Sequence, residues 1–187
     1  RWLRLASIAP GLANTMVRLP GLSHAVRRMI GIATERDIPR IADVTFRQWA
    51  ARQRVRTSGG SVVLWVDTFN NSFHPETTRA ALEVLESVGY SVAIPSQPLC
   101  CGRPLYDFGF IDQAKQYLQR VLAILASPID AGIPIVVLEP GCASVFRDEL
   151  RSLFPDDPRA ARLRAQTFLL SEFLERRLPG YTPPKIE

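Results

Sequence analysis

The sequence predicts an α/β fold in which a parallel sheet of three or more strands is flanked by helices and preceded by a helical arm. Three short apolar runs rich in β-branched residues lie at 61–66, 90–94 and 133–138. Runs of this kind are typical of strands that are buried on both faces. Segments with helical periodicity separate them, and this alternation with short connections indicates a parallel sheet.

The helices of the α/β region have recognisable ends. The first is expected to begin at Pro75 and to stop at Gly89, since proline suits a first helical turn and glycine suits the position after the last one. An apolar stripe at helical spacing predicts a longer helix over 111–126. Two further helices are expected over 144–153 and 160–177.

The first 57 residues differ in composition from the rest. Prolines and glycines divide them into candidate helices at 8–18, 22–32 and 40–53, and a Gly/Ser-rich stretch follows. They carry eleven arginines against three acidic residues, a net charge of +8, whereas the remainder carries −3. We therefore predict a basic helical arm or connector over 1–57 and an α/β domain over 58–187.

The charge pattern limits the expected partners. A basic arm suits nucleic acid, anionic lipid or an acidic domain, but widely spaced aromatic side chains disfavour nucleic acid, and a connector packed on another domain is preferred. The mean hydropathy of +0.02 and the lack of any apolar run of 18 residues predict a soluble protein. We place it in the cytoplasm, with peripheral association at the inner face of the membrane as an option.

All three cysteines fall in two predicted turns. Cys100 and Cys101 follow the second strand, and Cys142 follows the third. The carboxyl ends of parallel strands meet at one edge of the sheet, where ligands bind. A single tetrahedral metal rarely takes two adjacent ligands, whereas a cluster of several irons can. The pattern therefore favours an iron–sulfur site over a disulfide framework, and a zinc site completed by His74 or Asp67 ranks last.

Neighbouring residues are candidates for shaping this site. Gly102 allows a tight turn or a close backbone approach. Gly141 frees a backbone N–H at the start of a helix, where an anionic group is stabilised. Arg103 either offsets the charge of a cluster or forms an ordinary surface salt bridge.

These stretches resemble the CCG, or cysteine-rich, domain of iron–sulfur oxidoreductases. The resemblance rests on residues 66–76 (VDTFNNSFHPE), 98–107 (PLCCGRPLYD), 138–150 (LEPGCASVFRDEL) and 166–173 (QTFLLSEF). It is nearest to the C-terminal iron–sulfur part of FAD-linked oxidases of the lactate or glycolate dehydrogenase type, and it extends to heterodisulfide reductase. The sequence looks like a fragment with only the first of two such repeats.

The resemblance implies a 4Fe-4S type cluster ligated by Cys100, Cys101 and Cys142. It also implies electron transfer within an FAD-linked enzyme that oxidises a 2-hydroxy acid and reduces a quinone or another carrier. The flavin domain and the second repeat would lie outside this chain, which alone would not be catalytic. Thr68 and Val145 stand where the family has cysteines. The alternative is therefore a degenerate domain with a structural or docking role and no cluster.

Overall fold

The computed structural model describes residues 6–19, 22–29, 31, 33 and 35–182. These residues divide into two compact units. The first comprises the described residues up to Gln53 together with Phe69–Arg79, and the second comprises Arg54–Thr68 and the described residues from Ala80 onward. A compact unit need not be a domain that folds on its own, so this division does not test the predicted domain boundary between residues 57 and 58. The boundary stays a prediction.

The first unit contains three short helices from the basic arm. They are α1 (Pro10–Met16), α2 (Leu22–Met29) and α3 (Phe46–Arg52). The helices predicted over 8–18 and 22–32 are thus present in shorter form, although residues 30 and 32 lie outside the described residues.

The helix predicted over 40–53 begins later than expected. The Thr45 hydroxyl accepts a hydrogen bond from the Gln48 N–H at 3.3 Å, and the Gln48 side chain accepts one from the Thr45 N–H at 2.9 Å. This reciprocal capping box satisfies two backbone donors, so helix α3 starts only after Thr45.

The second unit is built on a four-stranded parallel sheet, which confirms the predicted α/β fold. Its strands are β1 (Val62–Leu64), β2 (Val92–Ala93), β3 (Ile135–Val137) and β4 (Thr167–Leu169), in the order β2-β1-β3-β4. In the central strand, Val63 pairs with Ala93 on one side and with Ile135 on the other. All residues of β1, β2 and β3 are buried, as continuous apolar runs require.

Helical segments lie between these strands, and after the last one, in the sequence. In chain order they are α4 (Thr68–Ser72), α5 (Pro75–Ser87), α6 (Arg103–Asp107), α7 (Ile111–Ile124), α8 (Ala126–Asp130), α9 (Pro140–Ser144), a π-helix (Val145–Glu149), α10 (Leu150–Leu153), α11 (Pro158–Gln166) and α12 (Leu170–Arg177). The core of the second unit joins apolar residues of β1 and β3 to those of α7 and the π-helix, and it includes Cys101 and Cys142. No helix in the described ranges is long and apolar enough to cross a membrane.

Two predicted helices differ from the observed ones. The helix expected over 160–177 is wrong, because Thr167–Leu169 forms strand β4 beside β3. Pairing with β3 and burial of Thr167 and Phe168 outweigh the helical pattern of the sequence. The helix expected from residue 144 instead starts at Pro140, so Cys142 lies in its first turn and not in a preceding loop.

Candidate metal centre

The three cysteines lie at the carboxyl edge of the sheet. Cys100 and Cys101 follow β2, Cys142 follows β3, and these strands flank β1, which leads into Thr68. The Cys101 and Cys142 Sγ atoms are 3.0 Å apart, within hydrogen-bonding distance, although 41 residues separate them in sequence. The gap exceeds the S–S bond length of about 2.0 Å, so the thiols are free. The parallel topology therefore brings thiols from two turns into contact.

Cys100 is less buried than the other two cysteines, and it also contacts the segment that follows strand β1. Its Sγ accepts a hydrogen bond from the Gly102 N–H at 3.5 Å, and the Thr68 side chain also hydrogen-bonds to it. Cys101 and Cys142 are each 5% exposed, whereas Cys100 is half-buried. Thr68 thus lies beside a thiol, at the position where the resemblance leads one to expect a cysteine.

The environment of the vicinal pair favours protonated thiols. A hydrogen bond to Cys101, followed by burial, raises the pKa of the Cys100 thiol well above its ordinary range. For Cys101, the bond from Cys100 lowers the pKa, but contact with Cys142 and burial outweigh it and raise the pKa to about 12. Metal binding here must therefore displace protons from buried sulfur.

Gly102 occupies a backbone conformation that suits glycine. Its φ is +79°, in the left-handed region, and helix α6 starts at the next residue. A Cβ at this position would lie 3.5 Å from the Cβ of Tyr117, an ordinary contact. The backbone angle, and not a lack of space, is therefore what requires glycine after the cysteine pair.

Arg103 connects the two cysteine-bearing segments. Its Nη1 lies 2.5 Å from Glu149 Oε1 and 3.2 Å from Ser144 Oγ, and its Nε lies 2.9 Å from an Asp107 carboxylate oxygen. Helix α6 follows Cys101, whereas Ser144 and Glu149 follow Cys142. The guanidinium charge is thus matched by two carboxylates, and Arg103 links the segments on either side of the thiol contact.

The Cys142 segment differs from the expectation at Gly141. The Gly141 N–H, expected to be free for an anionic ligand, donates to Glu139 Oε1 at 3.1 Å. Val145 is 1% exposed and belongs to the hydrophobic core. The residue three positions after Cys142 therefore contributes packing.

The candidate donors at this sheet edge are the sulfur atoms of the three free cysteines. Within the described ranges, no set of three or more His, Cys, Asp and Glu side chains is arranged to hold a metal ion. His74 is exposed and lies 3.2 Å from Glu76, while Asp67 is buried and engaged in an interaction. The three cysteines are therefore not arranged as a complete ligand set, but their sulfur atoms are the donor type that iron–sulfur clusters take, and Cys100, Cys101 and Cys142 are the residues that would hold one.

Sequence reasoning missed Ser144 and Glu149. They lie 41 and 46 residues after Arg103, and no spacing rule connects residues so far apart. The sequence showed only that an arginine directly follows the cysteine pair, and it did not indicate which residue would bind that arginine.

A known family matches the part of the chain that carries the cysteines. The family model described as CCG, cysteine-rich domain, matches residues 66–147, which include all three cysteines and Arg103. This segment is thus similar to a cysteine-rich domain. The match begins at the end of β1 and ends within the π-helix, so it covers the carboxyl-edge turns of three strands. No solved structure matches the chain significantly.

Curated relatives extend the similarity beyond the cysteine-rich domain. One component of the anaerobic glycerol-3-phosphate dehydrogenase of Escherichia coli K12 is 29% identical over 178 residues, covering 92% of this chain and 44% of its own length. Lactate utilization protein A is 32% identical over 117 residues in Bacillus velezensis, covering 60% of this chain and 47% of the relative. The protein of the same name in Shouchella clausii is 33% identical over 120 residues, covering 62% of this chain and 48% of the relative. The chain thus spans less than half the length of these relatives.

Proposed function

We propose that this chain is an electron-transfer segment of an iron–sulfur oxidoreductase. The observation that carries the proposal is the 3.0 Å contact between Cys101 and Cys142 beside Cys100, inside the segment that matches the cysteine-rich family. Sulfur donors grouped in this way suit iron–sulfur chemistry. A cluster of the 4Fe-4S type would supply one-electron transfer, while the chain itself would bind and orient it.

The residues around the thiols would prepare the site. The Arg103–Glu149 pair holds the Cys101 and Cys142 segments together, and the positive φ of Gly102 turns the chain directly after the vicinal pair. Because burial and thiol–thiol hydrogen bonds raise the pKa values of Cys100 and Cys101, a cluster must replace bound protons with iron. Cluster loading is therefore expected to be favoured by higher pH.

The parent reaction is proposed from the relatives. Similarity to lactate utilization protein A supports oxidation of a 2-hydroxy acid, and similarity to a component of a glycerol-3-phosphate dehydrogenase supports a place in a multi-subunit dehydrogenase. We infer that FAD and a second cysteine-rich repeat lie outside this chain. Electrons would leave toward a quinone or another carrier, on the cytoplasmic side of the membrane.

One observation favours a second function. Val145 is packed in the core and Thr68 carries a hydroxyl, so two positions of the family pattern lack thiols. The alternative is a domain that keeps the fold as a structural or docking element and binds no cluster.

Iron and acid-labile sulfide, measured after anaerobic purification and reconstitution together with EPR spectra before and after reduction, distinguish the two functions. We expect stoichiometric iron and sulfide with a redox-active signal, and we expect Cys101→Ser or Cys142→Ser to abolish both. The control is Cys142→Ser combined with Ser127→Cys, which keeps the number of thiols and moves one to an exposed position of helix α8. Iron content that ignores these changes, or no iron at all, contradicts the proposal.

A further inference from the structure

The side chain of Asn14 attaches helix α1 to a residue far along the chain. Asn14 is buried, its Nδ2 donates to the Ile41 carbonyl at 2.8 Å, and its Oδ1 accepts from the Ile41 N–H at 2.9 Å. The amide thus satisfies both backbone groups of one residue 27 positions away. This two-point attachment sets which face of α1 points into its own unit.

The opposite face of α1 is apolar and exposed. Leu12 is 65% exposed and Met16 is 45% exposed, one helical turn apart. With about 3.6 residues per turn, each of them lies about 160° around the helix axis from Asn14. Ile8 and Leu19, just outside the helix ends, are 78% and 47% exposed. We call these four side chains the α1 stripe.

The α1 stripe is unusual for a surface. The described residues include eight large hydrophobic side chains that are strongly exposed, and four of them, the α1 stripe, lie within the twelve residues 8–19. Isolated exposed apolar residues are normal, whereas a contiguous group indicates an interaction site. Within the helix, the spacing of four residues places Leu12 and Met16 on the same face, and Ile8 and Leu19 extend the exposed apolar surface in sequence on either side.

The charge around the stripe indicates the kind of partner. Residues 1–57 carry a net charge of +8, and the exposed arginines Arg18 and Arg28 lie close to the stripe in sequence. Helix α1 itself carries no charged residue, so the attraction to an anionic membrane would come from the arginines that follow it in sequence, with the apolar side chains lying in the membrane interface. Arginine side chains near such a surface are attracted by its negative potential.

We propose that the α1 stripe inserts into the surface of membranes that contain anionic lipids, and that the arginines of the basic arm provide the attraction. Asn14 keeps the stripe facing outward by holding the opposite side of α1 to Ile41. This interaction goes beyond the electron-transfer role and does not depend on the cysteines, so either proposal can fail without the other.

The test is cosedimentation of the purified chain with vesicles at low ionic strength. One set contains phosphatidylcholine alone, and the other contains phosphatidylcholine with phosphatidylglycerol. We expect binding to the anionic vesicles only, with a loss of affinity of about tenfold or more in Leu12→Gln/Met16→Gln. We expect a similar loss in Arg18→Gln/Arg28→Gln. The matched control is Phe108→Gln/Phe110→Gln, which removes two equally exposed side chains from the second unit and should leave binding unchanged.

Several results would overturn the proposal. These are no binding to anionic vesicles, equal binding to neutral ones, or an unchanged affinity in Leu12→Gln/Met16→Gln. A wild-type dimer in solution that Leu12→Gln/Met16→Gln converts to a monomer would show that a second copy, and not lipid, covers the stripe. All four substituted positions in the arm are exposed, so circular dichroism should show that the variants remain folded.

Discussion

At the scale of single residues, the chemistry of the site depends on which side chains border the thiols. Thr68 hydrogen-bonds to Cys100, whereas Val145 is packed in the core. The family resemblance places cysteines at both positions: Thr68 lies beside the half-buried thiol of Cys100, whereas Val145 is fully packed in the core that also contains Cys101 and Cys142. The two departures from the family pattern are therefore not equivalent.

This difference predicts the effect of adding a thiol. Thr68→Cys should raise the iron and sulfide bound per chain after reconstitution, because the new sulfur would lie beside Cys100 at the same sheet edge. Ser127→Cys is the control and should leave the iron content unchanged, since it adds a thiol at an exposed position of helix α8. Equal gains from both variants would show that the added iron is bound without regard to this site.

At the scale of secondary-structure elements, ion pairs join segments that are distant in sequence. Arg103 links α6 to the π-helix through Glu149, and Arg147 links the π-helix to Glu172 in α12. Arg147 also donates to the Thr167 carbonyl of β4 at 3.0 Å. The segment after Cys142 is thus held from two sides.

Of the two ion pairs of Arg103, the one with Glu149 should contribute more to the free energy of unfolding than the one with Asp107. The Glu149 side chain is 13% exposed, against 47% for Asp107. Glu149→Gln should lower the free energy of unfolding by about 1–3 kcal/mol, because it weakens a largely buried charge-assisted hydrogen bond. Asp107→Asn, the control, should cost less than about 1 kcal/mol, because exposed ion pairs contribute little.

Urea unfolding of both variants checks this prediction, with the iron content after reconstitution as a second measurement. Loss of the Glu149 carboxylate should also reduce cluster retention if Arg103 positions the two segments. A larger destabilisation from Asp107→Asn than from Glu149→Gln would contradict the assignment of the main link to Glu149.

The Arg147–Glu172 pair should make stability depend on pH. Hydrogen bonds from Arg147, and then from the Leu169 N–H, lower the pKa of the Glu172 carboxyl in the folded chain. The unfolded chain therefore binds this proton at higher pH, and the contribution to stability is present above the ordinary carboxyl pKa and lost as the pH falls through the folded-state value.

Urea unfolding of wild type and Glu172→Gln from neutral to acidic pH tests this prediction. At neutral pH the variant should be less stable by about 1–2 kcal/mol, and the difference should shrink to near zero in acid. The control is Glu175→Gln, an exposed position on the same helix, which should show no such trend. A difference that stays constant with pH would argue against an ionised carboxylate as the cause.

At the scale of the whole molecule, the two compact units differ in charge. The first has ten arginines and four acidic residues, whereas the second has thirteen basic and fourteen acidic residues. The cysteines all belong to the second unit, and the α1 stripe belongs to the first. The two proposed interactions, with iron and with lipid, are therefore assigned to different parts of the chain.

A cluster bound by the folded chain should stabilise it as a whole. A ligand that binds the native state and not the unfolded one raises Tm. We expect anaerobic reconstitution to raise the Tm of the wild type but not that of Cys142→Ser/Ser127→Cys. An unchanged Tm in the wild type would support the structural or docking alternative.

The fold class, and the edge of the sheet at which the cysteines lie, could be predicted from local patterns in the chain. Runs such as Val62–Leu64 and Ile135–Val137 are apolar throughout because both of their faces are buried, so they could be recognised locally. Parallel strands with short connections then place Cys101 and Cys142 at one edge whatever the strand order.

Strand β4, the Arg103–Glu149 pair and the thiol contact could be seen only in the tertiary structure. Strand β4 exists because Thr167–Leu169 pairs with β3, and Arg103 is a link because Glu149 lies within reach across 46 residues. The thiol contact likewise required β2 and β3 to flank β1 in the order that the sheet adopts. Each depends on a long-range pairing whose free energy comes from burial and hydrogen bonding in the assembled unit, and local sequence preferences carry no information about such partners.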